Sequence, residues 1–359
     1  MKRPLVIAAG GTGGHVFPAL AVAERLYGLD APVLFLTDAR GARYLEGRLS
    51  FTQVRARPLA GGPARRALAL GTLLRGSIEA LWALGRARPR AAGLFGGYAC
   101  LPALAALVLL RIPFLLHEQN AVFGRANRLA ARFARMLLLS FRDTEGVPSG
   151  LSAELRITGN PVRREVMERA PMPQRDSGFG LLVIGGSQGA RALAERVPEA
   201  LGRIPPERRR RMRLALQCRA ELRGSVERRL RELGVAAEVA AFFPDLPARL
   251  RQADLVVARA GASTVAELLH TATPAILIPY PHALDGHQRA NALRLERAGA
   301  AVVLDEAEAD AGRLAAELEA LMDSPERLAE MRKAAGALSP VDAAGAVAQA
   351  LLELAGEER

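Results

Sequence analysis

An α/β fold of two doubly wound parallel sheets is predicted by three features of this chain. An apolar run leads into a glycine turn twice. Leu5-Val6-Ile7-Ala8-Ala9 precedes Gly10-Gly11-Thr12-Gly13-Gly14-His15, and Leu181-Leu182-Val183-Ile184 precedes Gly185-Gly186-Ser187-Gln188-Gly189-Ala190. Each turn opens an Ala/Leu/Arg-rich helical stretch, the arrangement that aims helix N-terminal amides at an anion. Strand and helix patterns then alternate through both halves, and 359 residues suffice for two domains with their own cores. The implication is two Rossmann-like halves with a cleft between them, and a protein that handles a diphosphate.

Taken in order, strands are expected near residues 4–9, 32–37, 52–56, 91–95, 112–117 and 136–140, where short apolar runs are bounded by Gly, Pro, Asp or Asn. Helices are expected near 15–28, 64–86, 99–110 and 123–134. The pattern restarts after Gly159-Asn160-Pro161, with strands near 180–185, 212–216, 236–241, 254–258, 275–279 and 301–304. Helices intervene at about 189–202, 220–233, 263–271, 286–298 and 310–336. Alternation at this spacing implies parallel sheets covered on both faces. Pro171-Met172-Pro173 and the polar run to Gly178 read as a linker, and a last helix, about 340–355, follows Ser339-Pro340 and is expected to return to the first domain. The expected domains are therefore 1–160 with about 340–359, and 161–339.

Half of the residues are apolar and 4% aromatic, as in an ordinary soluble α/β protein. Cys100 and Cys218 lack metal or redox spacing, which fits a reducing cytoplasmic compartment. No charged and apolar leader pattern opens the chain, since the first strand runs straight into the glycine turn. The uncharged stretch Ala91 to Leu110 is nominally long enough to span a bilayer, but Gly93, Gly96, Gly97 and Pro102 break it into strand, turn and buried helix.

The net charge of +12 is unevenly placed. Residues 1–150 hold twenty Lys/Arg against eight Asp/Glu, and the remainder has 29 of each, so the whole excess lies on the first domain. Such a domain attracts a polyanionic surface. Nucleic acid is disfavoured, because basic and aromatic residues are not interleaved and no helix-turn-helix or zinc pattern occurs. An anionic membrane surface fits better. Leu70, Leu73, Leu74, Ile78, Leu81 and Trp82 recur at helical spacing, flanked by Arg65, Arg66, Arg75, Arg86, Arg88 and Arg90. Two readings of region 65–90 stand open: a helix packed on the sheet with a solvated basic edge, or an apolar, cationic docking surface for a bilayer.

Neither glycine turn matches G-x-G-x-x-G in register or G-x-x-x-x-G-K-[ST], which counts against a dehydrogenase or a P-loop enzyme. Asp38 ends the second strand, where a dehydrogenase would bind ribose, but the fingerprint before it is broken. In the second half, Arg259-Ala260-Gly261-Ala262-Ser263-Thr264-Val265-Ala266-Glu267 follows a strand and starts a helix. Its small residues let a phosphate approach the amides, and Glu267 is placed to accept hydrogen bonds from ribose hydroxyls, or else to close a capping box with Thr264. Pro279-Tyr280-Pro281-His282-Ala283-Leu284-Asp285-Gly286-His287-Gln288-Arg289-Ala290-Asn291 follows another strand and is dense in groups that fix a sugar. No D-x-D or H-E-x-x-H occurs, so leaving-group charge is expected to meet amide dipoles and arginine, with neither metal nor cofactor.

With these residues in view, the chain resembles the bacterial peptidoglycan glycosyltransferases that add N-acetylglucosamine to undecaprenyl-diphosphate-linked muramyl pentapeptide. The matching blocks are GGTGGHVFPALAVAERL (10–26), GGY (96–98), HEQNAVFGRANRLAARFA (117–134), TGNPVR (158–163), GGSQGA (185–190), RAGASTVAEL (259–268) and PHALDGHQRANA (282–292), in the family's order and across nearly the whole chain. The resemblance implies a two-domain GT-B fold, UDP-N-acetylglucosamine as donor, inversion at the anomeric carbon, and a peripheral location on the cytoplasmic face of the cell membrane. It also implies that the nucleotide lies on the second domain, under Ser187, Gln188 and Gly189 and the helix start Ala262, Ser263, Thr264, Val265, Ala266 and Glu267. Backbone near Phe243 would hold the uracil, Arg163 would sit by the donor, and Gln288 would contact its sugar. Thr12, Gly13, Gly14 and Asn120 would reach the substrates from the first domain. The chain departs from the family where Ala99-Cys100-Leu101-Pro102 replaces a Val-Ser-Gly-Pro-like loop, and where Pro244 takes a position at which an acid is common.

The acceptor's C4 hydroxyl must lose a proton as it attacks. His15, beside the first glycine turn, is the first candidate base, because imidazole titrates near working pH; its alternative is a structural or diphosphate-binding role. Glu118 is the second candidate, or else it holds its loop through an ion pair. Two other classes compete: another GT-B enzyme using UDP-N-acetylglucosamine (on a soluble acceptor, or as a 2-epimerase), and a non-catalytic basic peripheral membrane protein. The first has no use for a basic, apolar first domain, and the second leaves both glycine turns idle.

Overall fold

The computed structural model describes residues 3–58, 62–168, 178–185 and 191–356. The chain forms two compact units, Met1–Arg163 with Pro340–Arg359, and Arg164–Ser339.

The first unit holds a seven-stranded, all-parallel sheet in the order β3-β2-β1-β4-β5-β6-β7. Its strands are β1 (Leu5–Ala8), β2 (Val33–Thr37), β3 (Phe51–Gln53), β4 (Ala92–Leu94), β5 (Phe114–Glu118), β6 (Met136–Leu139) and β7 (Glu154–Ile157). Central strands such as β1 and β6 are buried along their whole length, as expected of a sheet covered on both faces. One face packs Leu20, Leu26 and Phe35 against Val347 and Leu351 of the returning helix Ala343–Leu354. The other packs Leu36, Leu94 and Leu116 against helices Pro63–Ala87 and Cys100–Leu109 through Ala80, Leu84, Ala103 and Leu107. The uncharged stretch 91–110 is thus strand, turn and a ten-residue helix.

The second unit holds a six-stranded, all-parallel sheet in the order β10-β9-β8-β11-β12-β13. These strands are β8 (Phe179–Ile184), β9 (Met212–Gln217), β10 (Ala236–Ala240), β11 (Leu255–Ala258), β12 (Ala275–Leu277) and β13 (Ala301–Val303). Both sheets reverse strand order once, between β1 and β4 and between β8 and β11. That switch point, outside the carboxyl ends of the strands, is where open α/β sheets bind ligands.

Short helices at Ala39–Ala42, Arg164–Met167, Pro206–Arg209 and Leu246–Gln252 add to the sequence reading, and two larger differences have a clear physical cause. β7 was not anticipated, because Glu154-Leu155-Arg156-Ile157 is a largely exposed edge whose Arg156 pairs with Glu154 (2.7 Å) and Glu353 (2.6 Å), and it lacks an apolar run. The long helix expected over 310–336 is two, Ala311–Met322 and Pro325–Leu338. Ser324 caps the second by accepting the Arg327 N–H, with Pro325 in its first turn, where the missing N–H costs nothing.

The helix Pro63–Ala87 covers most of region 65–90 and packs one face on the first unit. Its inner face is Ala69, Gly76, Ala80 and Leu84, and a Cβ on Gly76 would lie 1.9 Å from the Arg55 carbonyl oxygen. Leu70, Leu74, Ile78 and Trp82, spaced by one turn, face outward, with Leu74 67% and Trp82 72% exposed. Leu73 and Leu81 are half-buried. Three small residues and Leu84 make the buried contact with the unit, and those four large apolar ones are left on the surface.

Candidate active site

In the first unit the chain leaves β1 at the switch point and turns through Gly10–Thr12 into helix Gly13–Tyr27. Thr12 is the N-cap residue but its side chain makes no capping bond, and its carbonyl accepts the His15 and Val16 N–H groups. The amides of Gly13 and Gly14 fall in the first turn, where a helix has no acceptor for them. Across the switch point, β4 ends at Gly96 and Gly97, both at positive φ (85° and 81°). A Cβ on Gly97 would lie 2.2 Å from the Gly10 carbonyl oxygen, and one on Gly96 would lie 3.0 Å from His15 Nδ1. The two turns therefore close on each other only because both are glycine.

Carboxylates hold this turn from below. Asp38, fully buried, accepts N–H bonds from Gly11 and Gly41 (2.9 Å each) and an ion pair from Arg40 (3.4 Å). The acid that a dehydrogenase would use on ribose is here a brace for the glycine turn. Glu118, at the end of β5 and equally buried, accepts from Asn120 N–H (2.9 Å) and Nδ2 (3.2 Å) on one oxygen. Its other oxygen accepts from Gly124 N–H (2.9 Å) and Asn127 Nδ2 (2.7 Å). Amide donors, not an ion pair, tie Glu118 to its loop. Of the two base candidates, Glu118 has its carboxylate committed to that loop. His15 is half-buried, with Nδ1 3.1 Å from Gln119 Oε1.

Nearby, His117 is buried against Phe95, the rings stacked at 5.5 Å, and its Nε2 donates to the Gly159 carbonyl (3.0 Å). Burial pushes its imidazole down to about 4, against the smaller opposing effect of that hydrogen bond. Cys100, in the loop that departs from the family pattern, donates its thiol to the carbonyls of Gly96 (3.0 Å) and Ala8 (3.2 Å), and burial pushes it up to about 12. Arg163 belongs to the first unit, where its guanidinium lies 4.9 Å over the Phe17 ring.

In the second unit the turn after β8 carries Ser187, Gln188 and Gly189, which lie outside the described residues. The turn after β11, on the other side of that switch point, is described throughout. Gly261 is the N-cap of helix Ala262–His270, so Thr264 sits in the first turn and the capping-box reading of Thr264 and Glu267 is overturned. Ala262, Val265, Ala266 and Glu267 are buried, and Ser263 Oγ is buried with no hydrogen-bond partner among the described residues. Asn291, wholly buried, donates to the Ala260 carbonyl (3.1 Å).

Arg259, to which the sequence pattern gives no role, is central here. Its Nη1 donates to the carbonyls of Ile278 (3.0 Å) and Pro279 (3.3 Å), Nη2 pairs with Glu306, and the guanidinium lies 5.5 Å over the Tyr280 ring. Gln288 Oε1 accepts the Tyr280 N–H (3.0 Å). Phe243 is buried beneath Arg249, whose guanidinium lies 4.2 Å over its ring. The structure thus groups Thr12, Gly13, Gly14, His15, Glu118, Asn120 and Arg163 in the first unit, and Phe243, Ala262–Glu267 and Gln288 in the second. Among the described residues no three His, Cys, Asp or Glu side chains converge as metal ligands.

Residues 5–138 match the glycosyltransferase family 28 N-terminal domain, and residues 180–347 the glycosyltransferase family 28 C-terminal domain. The chain is 43% identical to the UDP-N-acetylglucosamine–N-acetylmuramyl-(pentapeptide) pyrophosphoryl-undecaprenol N-acetylglucosamine transferase of Rhodospirillum centenum, covering 98% of this chain and 95% of that one. It is likewise 43% identical to the protein of the same name from Paramagnetospirillum magneticum, over 98% and 97% of the two chains. A crystal structure of Acinetobacter baumannii MurG superposes with a TM-score of 0.77 at 29% identity, over 98% of this chain and 99% of that one.

Proposed function

The chain belongs to glycosyltransferase family 28 and to its branch of UDP-N-acetylglucosamine–N-acetylmuramyl-(pentapeptide) pyrophosphoryl-undecaprenol N-acetylglucosamine transferases, and from that premise we propose how its residues perform the reaction. The enzyme moves N-acetylglucosamine from UDP-N-acetylglucosamine to the lipid-linked muramyl pentapeptide, a step of cell-wall peptidoglycan synthesis. The donor is assigned to the second unit. Its diphosphate meets the amides at the start of helix Ala262–His270 together with Ser187–Gly189, and Glu267 accepts the ribose hydroxyls. Backbone near Phe243 takes the uracil, and the Gln288 NH2 donates to the sugar. The buried Ser263 hydroxyl, without a partner among the described residues, supports this placement, since a phosphate oxygen would satisfy it.

The first unit takes the acceptor. The Gly13 and Gly14 amides, with Thr12 and Asn120, face its polar part, and Arg163 contributes positive charge near the reacting diphosphate. His15 Nε2 removes the proton of the C4 hydroxyl as that oxygen attacks the anomeric carbon from the face opposite the departing UDP, which inverts the configuration. Amide and guanidinium donors aimed at the leaving diphosphate are each worth a factor of about 100 to 1,000 in rate.

The outward stripe Leu70, Leu74, Ile78 and Trp82, flanked by arginines, supports docking on an anionic bilayer, where the lipid-linked acceptor resides. The helix lies in the membrane plane and does not cross it, because its Ala/Gly face is committed to the unit. The observation that carries the whole reading is the agreement of two near-full-length relatives with both switch-point turns. Incubation with radiolabelled UDP-N-acetylglucosamine and the lipid-linked muramyl acceptor tests it: labelled lipid product is expected, and free labelled sugar or an epimerised nucleotide sugar alone overturns it. Sedimentation with vesicles containing anionic lipid tests the docking face, with Leu74→Glu expected to release the protein.

A further inference from the structure

The hydrogen bonds around Gln119 carry more information than their number suggests. Gln119 is fully buried, and its amide nitrogen lies 2.9 Å from the Phe95 carbonyl oxygen and 3.2 Å from the His117 carbonyl oxygen. Only a donor satisfies two carbonyls, so the NH2 end is fixed on that side and the carbonyl end faces His15. The same NH2 lies 3.1 Å from His117 Nδ1. His117 Nε2 meets the Gly159 carbonyl and must carry hydrogen, so Nδ1 of a neutral His117 is a lone pair that shares one of the two Gln119 N–H groups with the His117 carbonyl. At the other end, Gln119 Oε1 accepts only, and His15 Nδ1 at 3.1 Å must therefore be the N–H.

We propose that Gln119 and His117 are positioning residues that fix the tautomer of His15, holding hydrogen on Nδ1 and leaving the Nε2 lone pair to take the acceptor's proton. The proposal rests on His15 as the base and names what prepares it. In the reaction the acceptor O–H breaks and its proton goes to Nε2. The new C–O bond forms at the anomeric carbon, and the bond to the UDP oxygen breaks with its electron pair. Through this step His15 Nδ1–H keeps donating to Gln119, so the ring does not turn. The orienting acceptor is a neutral amide and not a carboxylate, so it selects the tautomer without adding a negative charge to bind the proton more tightly. Gly96 completes the seat, since its missing Cβ is what lets the imidazole lie against the end of β4. The neutral state of buried His117 keeps the polarity of the chain of bonds in one direction. Were His117 doubly protonated, Nδ1 would become a donor and Gln119 would have to turn over, inverting the demand on His15.

Nitrogen-15 NMR of histidine-labelled wild-type enzyme reads the tautomer directly, and the five histidines are assigned by single His→Gln variants. The expected result is a His15 with hydrogen on Nδ1. In Gln119→Met, of similar volume but with no hydrogen-bonding amide, His15 is expected to show both tautomers. Its kcat is expected to fall about tenfold or more, within the factor of about 100 to 10,000 that a positioned base supplies. KM for UDP-N-acetylglucosamine and UDP affinity by calorimetry are expected to hold, which a general loss of structure would not allow. A wild-type His15 carrying its hydrogen on Nε2 overturns the proposal even if no variant folds, and so does a folded Gln119→Met with wild-type kcat. His15→Ala with wild-type turnover removes the base reading instead, while the Nδ1–H signal of the wild type stands.

Discussion

The two described switch-point turns perform similar tasks with opposite braces. Under Gly10–Gly14 the bracing groups are acceptors, with the Asp38 carboxylate taking backbone N–H bonds and Glu118 doing the same for the neighbouring loop. At Ala260–Ala262 they are donors, with Asn291 giving a hydrogen bond to the Ala260 carbonyl and the adjoining Arg259 giving its own to the carbonyls of Ile278 and Pro279. Each turn has one arginine–carboxylate pair, Arg40 with Asp38 and Arg259 with Glu306, and what differs is which member holds the backbone. The carboxylate does so in the first unit, and the guanidinium in the second.

The largest effect that sharpens this contrast is expected from His15→Ala, with turnover reduced by about 100- to 10,000-fold and UDP affinity by calorimetry unchanged. Weakened UDP binding in that variant would erase the distinction between the turns. Next comes Arg259→Met, which leaves Glu306 without its partner and two carbonyls without donors. A loss of about 3–5 kcal/mol in urea unfolding is expected, together with weaker UDP binding. The first unit has its own titration. His117 is held neutral in the folded state down to about pH 4, whereas the unfolded side chain protonates below its ordinary value of 6.5. The unfolded state therefore binds the extra proton in that window, and stability rises with pH from about 4 to 6.5. The contribution lost on acidification is about 3 kcal/mol, and His117→Gln is expected to flatten the dependence. Smaller again, Glu267→Ala should weaken UDP binding by about tenfold to a hundredfold, as loss of hydrogen bonds to a charged group does. Unchanged affinity removes the ribose assignment.

Much of this architecture was written in local patterns. The apolar runs that became β1 and β11 are buried end to end, and that of β8 from Leu181 onward, so each reads as a strand without help from distant contacts. The glycine turn at residue 10 and the small-residue turn at 260 were visible for the same reason. What was not visible depends on partners far along the chain. Asp38 looks like a ribose ligand until Gly11 is seen on its carboxylate, 27 residues away. Gln119 was one letter in a quoted block, and its meaning comes from His15, 104 residues earlier. Periodicity located the helix at 63–87 but not which side faces the unit. The buried contact is made by Leu84 together with Ala69, Gly76 and Ala80, small residues that a hydrophobic stripe does not single out. β7 was missed because an exposed edge strand is under no demand to be apolar.

The helix Ala343–Leu354 has a consequence for how the protein is made. Asp342 caps it through Gly345 N–H (2.7 Å) and pairs with Arg25 (3.1 Å), while Val347 and Leu351 fill the same core as Leu20 and Leu26. A nascent chain of 339 residues carries every strand of both sheets yet still shows this apolar wall to chaperones. Translation from the amino end usually lets the first domain consolidate first. In this molecule the first unit's core is complete only once residues 343–354 have been made, so its earliest segment depends on one of the latest.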